Sequence, residues 1–167
     1  MPSPYNLDID EHCTTCRHRK DGVFCDMSTE TLAALDAVRF SFNYPKGSIL
    51  FLEGEQSRGV FILCSGTVKL TTSSSDGRTL IMRIAQSREV LGVSATIAGK
   101  AYAVSAETLE PSQVSFIDRD SFLRLLASSA EASMHAAILL SEKDFAAQHQ
   151  LARTFPHDDR ETDAPVP

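Results

Sequence analysis

Between Ser48 and Arg119 the chain divides into six short runs of strand-forming residues with glycines set between them. The runs are Ser48 to Leu52, Val60 to Cys64, Thr67 to Thr72, Thr79 to Ala85, Tyr102 to Glu107 and Gln113 to Asp118. Their β-branched and aromatic content and their shortness read as strands. Gly47, Gly54, Gly59, Gly66, Gly77, Gly92 and Gly99 fall between or at the edges of the runs, where a positive φ is most useful. Asp76-Gly77 after three serines is a hairpin signal. Short strands at such even spacing describe a small barrel or jelly roll, so the chain reads as mainly β with flanking helices.

Ser28 is placed to cap a helix through about Phe40, with Leu32, Leu35 and Val38 at helical spacing, and Tyr44-Pro45-Lys46-Gly47 closes it. A second short helix spans Asp118 to Leu126. From Ala130 to Phe155 there is no proline or glycine, and Met134, Ile138, Leu140, Phe145 and Leu151 form a broken apolar stripe on an alanine-rich background. Some 25 residues at ~1.5 Å each make a helix nearly 40 Å long, more than a small barrel needs to cover itself. Alanines let a second helix approach closely, so this helix is expected to pair with its copy in a homodimer; the alternative is a helix lying wholly on its own barrel. The expected organisation is a cysteine-bearing segment over 1–27, the β unit over 28–127, the dimerisation helix over 128–155 and a disordered acidic tail over 156–167.

At 167 residues, with 43% apolar and 23% charged residues, the chain suits one soluble domain with tails. No stretch approaches the roughly 20 apolar residues of a membrane helix. The first eight residues carry neither a basic start nor an apolar run, so a cytoplasmic location with reduced thiols is expected. A net charge of −6 argues against the whole chain gripping nucleic acid. Cupin-type metalloenzymes need histidines inside the barrel, yet all five histidines lie outside Ser48 to Arg119. Neither a Gly-x-Ser-x-Gly elbow nor a phosphate-binding loop occurs, so the chain is not expected to be an enzyme.

The chemistry sits in the cysteines. Cys13 and Cys16 form a Cys-x-x-Cys turn, and Cys25 follows nine residues later. Among reduced thiols this spacing points to a metal site or a redox pair, and three thiolates close most of a tetrahedral or cluster site. The rival is a remnant that no longer binds metal. His12 or His18 would complete a Cys₃His zinc site. Cys64 shares a strand face with Val60 and Ile62 and reads as a buried apolar thiol. Arg17-His18-Arg19-Lys20 reads as a solvated basic run, and His135 and His149 as rim residues of the long helix.

The segments Pro45-Lys46-Gly47-Ser48-Ile49-Leu50-Phe51, Glu53-Gly54-Glu55, Phe61 to Leu70 and Glu89-Val90-Leu91-Gly92 resemble the Crp/Fnr regulators, from about Cys13 to Phe155. The resemblance implies a cyclic-nucleotide-binding-like β-roll followed by that family's dimerisation helix. His12-Cys13-Thr14-Thr15-Cys16 with Cys25 is similar to the cluster-binding N-terminus of the oxygen-sensing branch, which implies an iron-sulfur cluster, with zinc as the alternative. In that branch a fourth cysteine occupies the position of Ser115, so the fourth ligand here stays open between Ser115, Cys64 and His12. In the nucleotide-binding branch a glutamate follows the equivalent of Gly92 and an Arg-Ser or Arg-Thr pair comes later; here Val93 and Lys100-Ala101 stand there. An ammonium lacks the planar fork that matches two phosphate oxygens, so tight cyclic AMP binding is not expected. DNA-binding members continue past the long helix into a winged helix-turn-helix, and no recognition-helix pattern occurs in this chain. DNA contact is therefore expected only through a domain this chain does not carry. The function implied is redox or oxygen sensing in a transcription regulator. The alternative is a small-ligand module with vestigial cysteines and a pocket near Gly92, Ser94 and Lys100.

Overall fold

The computed structural model describes residues 12–16, 22 and 24–154, with side chains up to residue 142. Helix α1, Thr29–Val38, opens where the Ser28 hydroxyl accepts the Thr31 N–H, as the capping serine led one to expect. The strands follow as β1 (Phe40–Tyr44), β2 (Ile49–Phe51), β3 (Gly59–Ser65), β4 (Val68–Ser73), β5 (Thr79–Ala85), β6 (Val90–Leu91), β7 (Ser105–Thr108) and β8 (Ser112–Asp118). Helix α2, Val93–Ala98, lies between β6 and β7, and α3 (Arg119–Ser128) and α4 (Ala130–Thr154) follow β8.

The strands form two four-stranded sheets in the orders β1-β8-β3-β6 and β2-β7-β4-β5, every pair antiparallel. One core lies between the sheets and holds Phe51, Phe61, Leu63, Val68, Leu91 and Val114. A second lies between the outer face of the first sheet and the helices, where Val60, Ile62 and Ile117 meet Phe24, Leu32, Leu35, Phe122 and Leu125. Successive residues of β3 serve opposite cores, which is why Val60 to Leu63 is an unbroken apolar run. Burying leucines such as Leu32 and Leu35 contributes about 1.5–3 kcal/mol each, which is what fastens α1 to the roll.

Three features depart from the sequence reading. The first helix stops at Val38, and Phe40–Tyr44 instead pairs along β8 from Phe40↔Phe116 to Tyr44↔Ser112. The alternation Phe40, Phe42, Tyr44 is the strand signal that the helical reading passed over. Second, β6 and α2 are only two and six residues long, too short for any periodicity to show. Third, six of the seven turn glycines do take positive φ, but Gly59 does not. It sits within β3, where a Cβ would lie 2.1 Å from the Ile117 carbonyl oxygen, so it is required for close strand approach.

Helix α4 begins against its own roll, with Ala132 and Ala136 buried in the outer core. Met134 and Ile138 on its other side are 62% and 41% exposed, so its apolar surface is divided between two directions. Among the described residues no helix is long and apolar enough to cross a membrane. The stretches 1–11, 17–21 and 155–167, which include His18, the basic run and the expected tail, lie outside the described residues.

Candidate functional site

Packed against the outer core, the N-terminal segment closes a cavity of about 30 Å³. Cys13, Cys16, Cys25 and Cys64 all line it, together with His12, Ser115, Arg39, Arg88 and the apolar side chains of Phe24, Leu35 and Ile62. All four cysteines are partly buried thiols outside any disulfide. Every residue named from the sequence as a ligand or possible fourth ligand and described here therefore opens on one space. They are not drawn tight: among the described residues no three His, Cys, Asp or Glu side chains gather closely enough to hold a metal ion.

A chain of polar contacts ties the segment to the roll. The Cys13 N–H donates to both carboxylate oxygens of Asp36, at 2.9 and 3.0 Å. Asp36 also accepts from Arg39 Nε at 2.7 Å, one turn along α1. From the other side of the guanidinium, Nη1 donates to Ser115 Oγ at 2.7 Å, and Cys64 Sγ lies 3.4 Å from that same hydroxyl. Burial pushes the Cys13 thiol far up, Arg39 opposes this, and Asp36 and Cys64 add to it, so Cys13 is a protonated thiol at neutral pH. For Asp36, burial acts upward too, but the Cys13 N–H and the Arg39 guanidinium outweigh it and hold the carboxyl below its ordinary range.

Asp36, Arg39 and Arg88 were not read from the sequence as site residues. The Asp36/Arg39 spacing of three on a helix is a signal that could have found the pair. Nothing local announces Arg88, which adopts φ +76 without being glycine. Its turn is held by hydrogen bonds from Arg88 N–H to Leu63 O and from Leu63 N–H to Glu89 O, which bring it beside Cys64. Gly22 lies flat on this turn, and a Cβ there would meet the Arg88 Cβ and carbonyl oxygen at 2.8 Å each.

The three residues considered for a small ligand fall elsewhere. Gly92 precedes α2 with φ +84, while Ser94 and Lys100 are exposed, and none lines the cysteine cavity. A Cβ on Gly92 would come 2.9 Å from the Tyr102 ring. That ring stacks on Phe51 at 4.2 Å, and its hydroxyl donates to the Gly59 carbonyl at 2.7 Å. Val93, which follows Gly92, is fully buried in the outer core.

Residues 41–129, just over half the chain, match the cyclic nucleotide-binding domain family. The chain belongs to that family. This cyclic nucleotide-binding domain is 25% identical over 122 residues to the CRP-like cAMP-activated global transcriptional regulator of Mycobacterium tuberculosis, covering 73% of the chain and 54% of the regulator. It is also 25% identical over 95 residues to the anaerobic regulatory protein of Bacillus subtilis, covering 56% and 40%. The chain thus spans about half the length of these relatives. The fold is shared with the Thermus thermophilus catabolite activator protein, at 20% identity and a TM-score of 0.71 over 79% of this chain and 62% of that one. Both relatives are named as regulatory proteins, the first of them a transcriptional regulator.

Proposed function

We propose that this domain senses redox state or oxygen through a thiolate-held metal centre at Cys13, Cys16 and Cys25, and that it works as a homodimer in the cytoplasm. The observation that carries the reading is that the three N-terminal cysteines and Cys64 line one cavity, which Arg39 and Arg88 also line. The donor set fits in kind, because soft sulfur ligands select zinc and iron-sulfur clusters. To hold such a group Cys13, Cys16 and Cys25 would have to stand closer together than they do here, each as a thiolate. Such a centre would supply the oxygen- or redox-sensitive bond that the polypeptide lacks.

Two contacts suggest how the signal leaves the site. Asp36 holds Cys13 at the last turn of α1, and Glu131 of α4 holds the beginning of α1. The Glu131 carboxylate accepts from the Ser28 N–H, the Ser28 hydroxyl and the Thr31 hydroxyl, each at 2.7 Å. A change in the cysteine segment would therefore bias the seating of α1 on α4, and through it the pairing of α4 with its copy at Met134 and Ile138. DNA would be reached through a helix-turn-helix unit following α4. Buried Val93 and exposed Lys100 speak against tight cyclic AMP binding.

The test is anaerobic purification, a visible spectrum, and iron, sulfide and zinc analysis. A brown protein with iron and sulfide that bleaches in air supports the proposal. Stoichiometric zinc would make the cysteines a structural clasp. A colourless, metal-free protein would refute the metal centre and move the search for an effector into the roll.

A further inference from the structure

Cys64 and Ser115 sit on neighbouring strands and face the same cavity, yet their surroundings prepare them for different tasks. The β3/β8 register runs regularly to Leu63↔Val114 and resumes at Ser65↔Gln113, so Cys64 is the extra residue of a β-bulge. Bulges re-aim the inserted side chain, and they recur next to functional sites. Here Cys64 lines the same cavity as the N-terminal cysteines, and its thiol donates to the Ile62 carbonyl oxygen at 3.8 Å. Ser115 is fully buried, and its oxygen already accepts a charged hydrogen bond from Arg39.

Resting on the metal reading above, we infer that Cys64 is the fourth sulfur of the centre, and that Ser115 is a positioning residue that donates its hydroxyl hydrogen to that sulfur. Acidity orders the two groups. A thiol ionises near pH 8.5, within reach of a bound metal's charge, whereas an alkyl hydroxyl is a far weaker acid and a harder ligand. Cys64 would hold the metal as a thiolate, its S–H proton given up to solvent, while Ser115 would keep its O–H. With Arg39 occupying one lone pair of the oxygen, the hydroxyl hydrogen is free to turn toward the sulfur 3.4 Å away. Hydrogen bonds of this kind orient metal ligands and tune their basicity. Arg39 and Arg88, both lining residues, would set positive charge near the negative charge of four thiolates.

Cobalt(II) titration of the reduced chain under nitrogen tests this, reading thiolate-to-metal charge-transfer absorbance and, by competition, affinity. The variants are Cys64→Val, which keeps an apolar side chain against Val60 and Ile62, and Ser115→Ala, with unfolding curves to confirm that each folds. Cys64→Val should lose about a quarter of the charge-transfer intensity, one of four sulfurs. Ser115→Ala should keep full intensity and bind ~10–100-fold more weakly. Full intensity and affinity in Cys64→Val, or a lost ligand in Ser115→Ala, would overturn the assignment while leaving the metal centre standing. A native chain that takes up no cobalt overturns the centre and this assignment together. If Cys64→Val does not fold, Cys64→Ser carries the same comparison.

Discussion

Replacing Asp36 by alanine would cut the connection between the N-terminal cysteines and α1. The Asp36 and Arg39 side chains are only 15% and 5% exposed, so the truncation leaves a buried guanidinium without its carboxylate and the Cys13 N–H without its acceptor. Breaking a buried ion pair from one side costs about 3–5 kcal/mol. Ser115 still accepts from Arg39, and the adjoining cavity is about the size of one water, which puts the expected loss near 3 kcal/mol. For a domain of this size that lowers Tm by roughly 6–12 °C, measurable by circular dichroism alongside urea titration. The sign of the pH effect follows from the depressed Asp36 carboxyl. Its stabilisation is complete above the unfolded-state pKa of about 3.9 and is lost as pH falls through the lower folded-state value. The gap between native and Asp36→Ala should therefore be flat from about pH 5 to 7 and close in strong acid. Because much of the cost falls on the buried guanidinium that loses Asp36, the double variant Asp36→Ala with Arg39→Met should recover part of the loss. A Tm change under about 2 °C, or a double variant no better than the single one, would refute this account of the pair.

Gly59→Ala puts a Cβ 2.1 Å from Ile117 O and 2.9 Å from the Asp118 Cα, so β3 and β8 must part; a loss of about 3 kcal/mol or more in urea unfolding is expected, and a native-like midpoint would show that the pair yields easily. Met134→Glu with Ile138→Glu should leave the domain folded and shift sedimentation from dimer to monomer; an unchanged dimer would place the interface elsewhere. Glu131→Gln weakens the acceptor shared by Ser28 and Thr31, so amide exchange at the start of α1 should accelerate while β3 is unaffected. Calorimetric titration with cyclic AMP should give no saturable heat below about 1 mM, and a micromolar Kd would contradict the reading of Val93 and Lys100.

Local pattern carried much of the fold. Thr79–Ala85 was legible to the residue and α1 was legible from its serine cap, because turn glycines, caps and strand runs act over a few neighbours. Phe40–Tyr44 was not, since its partner β8 lies some seventy residues on and its two phenylalanines stay largely exposed, so long-range backbone pairing makes it a strand. Spacing singled out the cysteine trio as candidate ligands, and what the structure adds is that all three line one cavity. Which group faces that trio was decided only in three dimensions. The bulge at Cys64, the Asp36–Arg39–Ser115 relay and the Arg88 turn under Gly22 each join segments far apart in the chain. Strand register sets those contacts, and register is fixed by the packing of two cores at once, which no short stretch of sequence records.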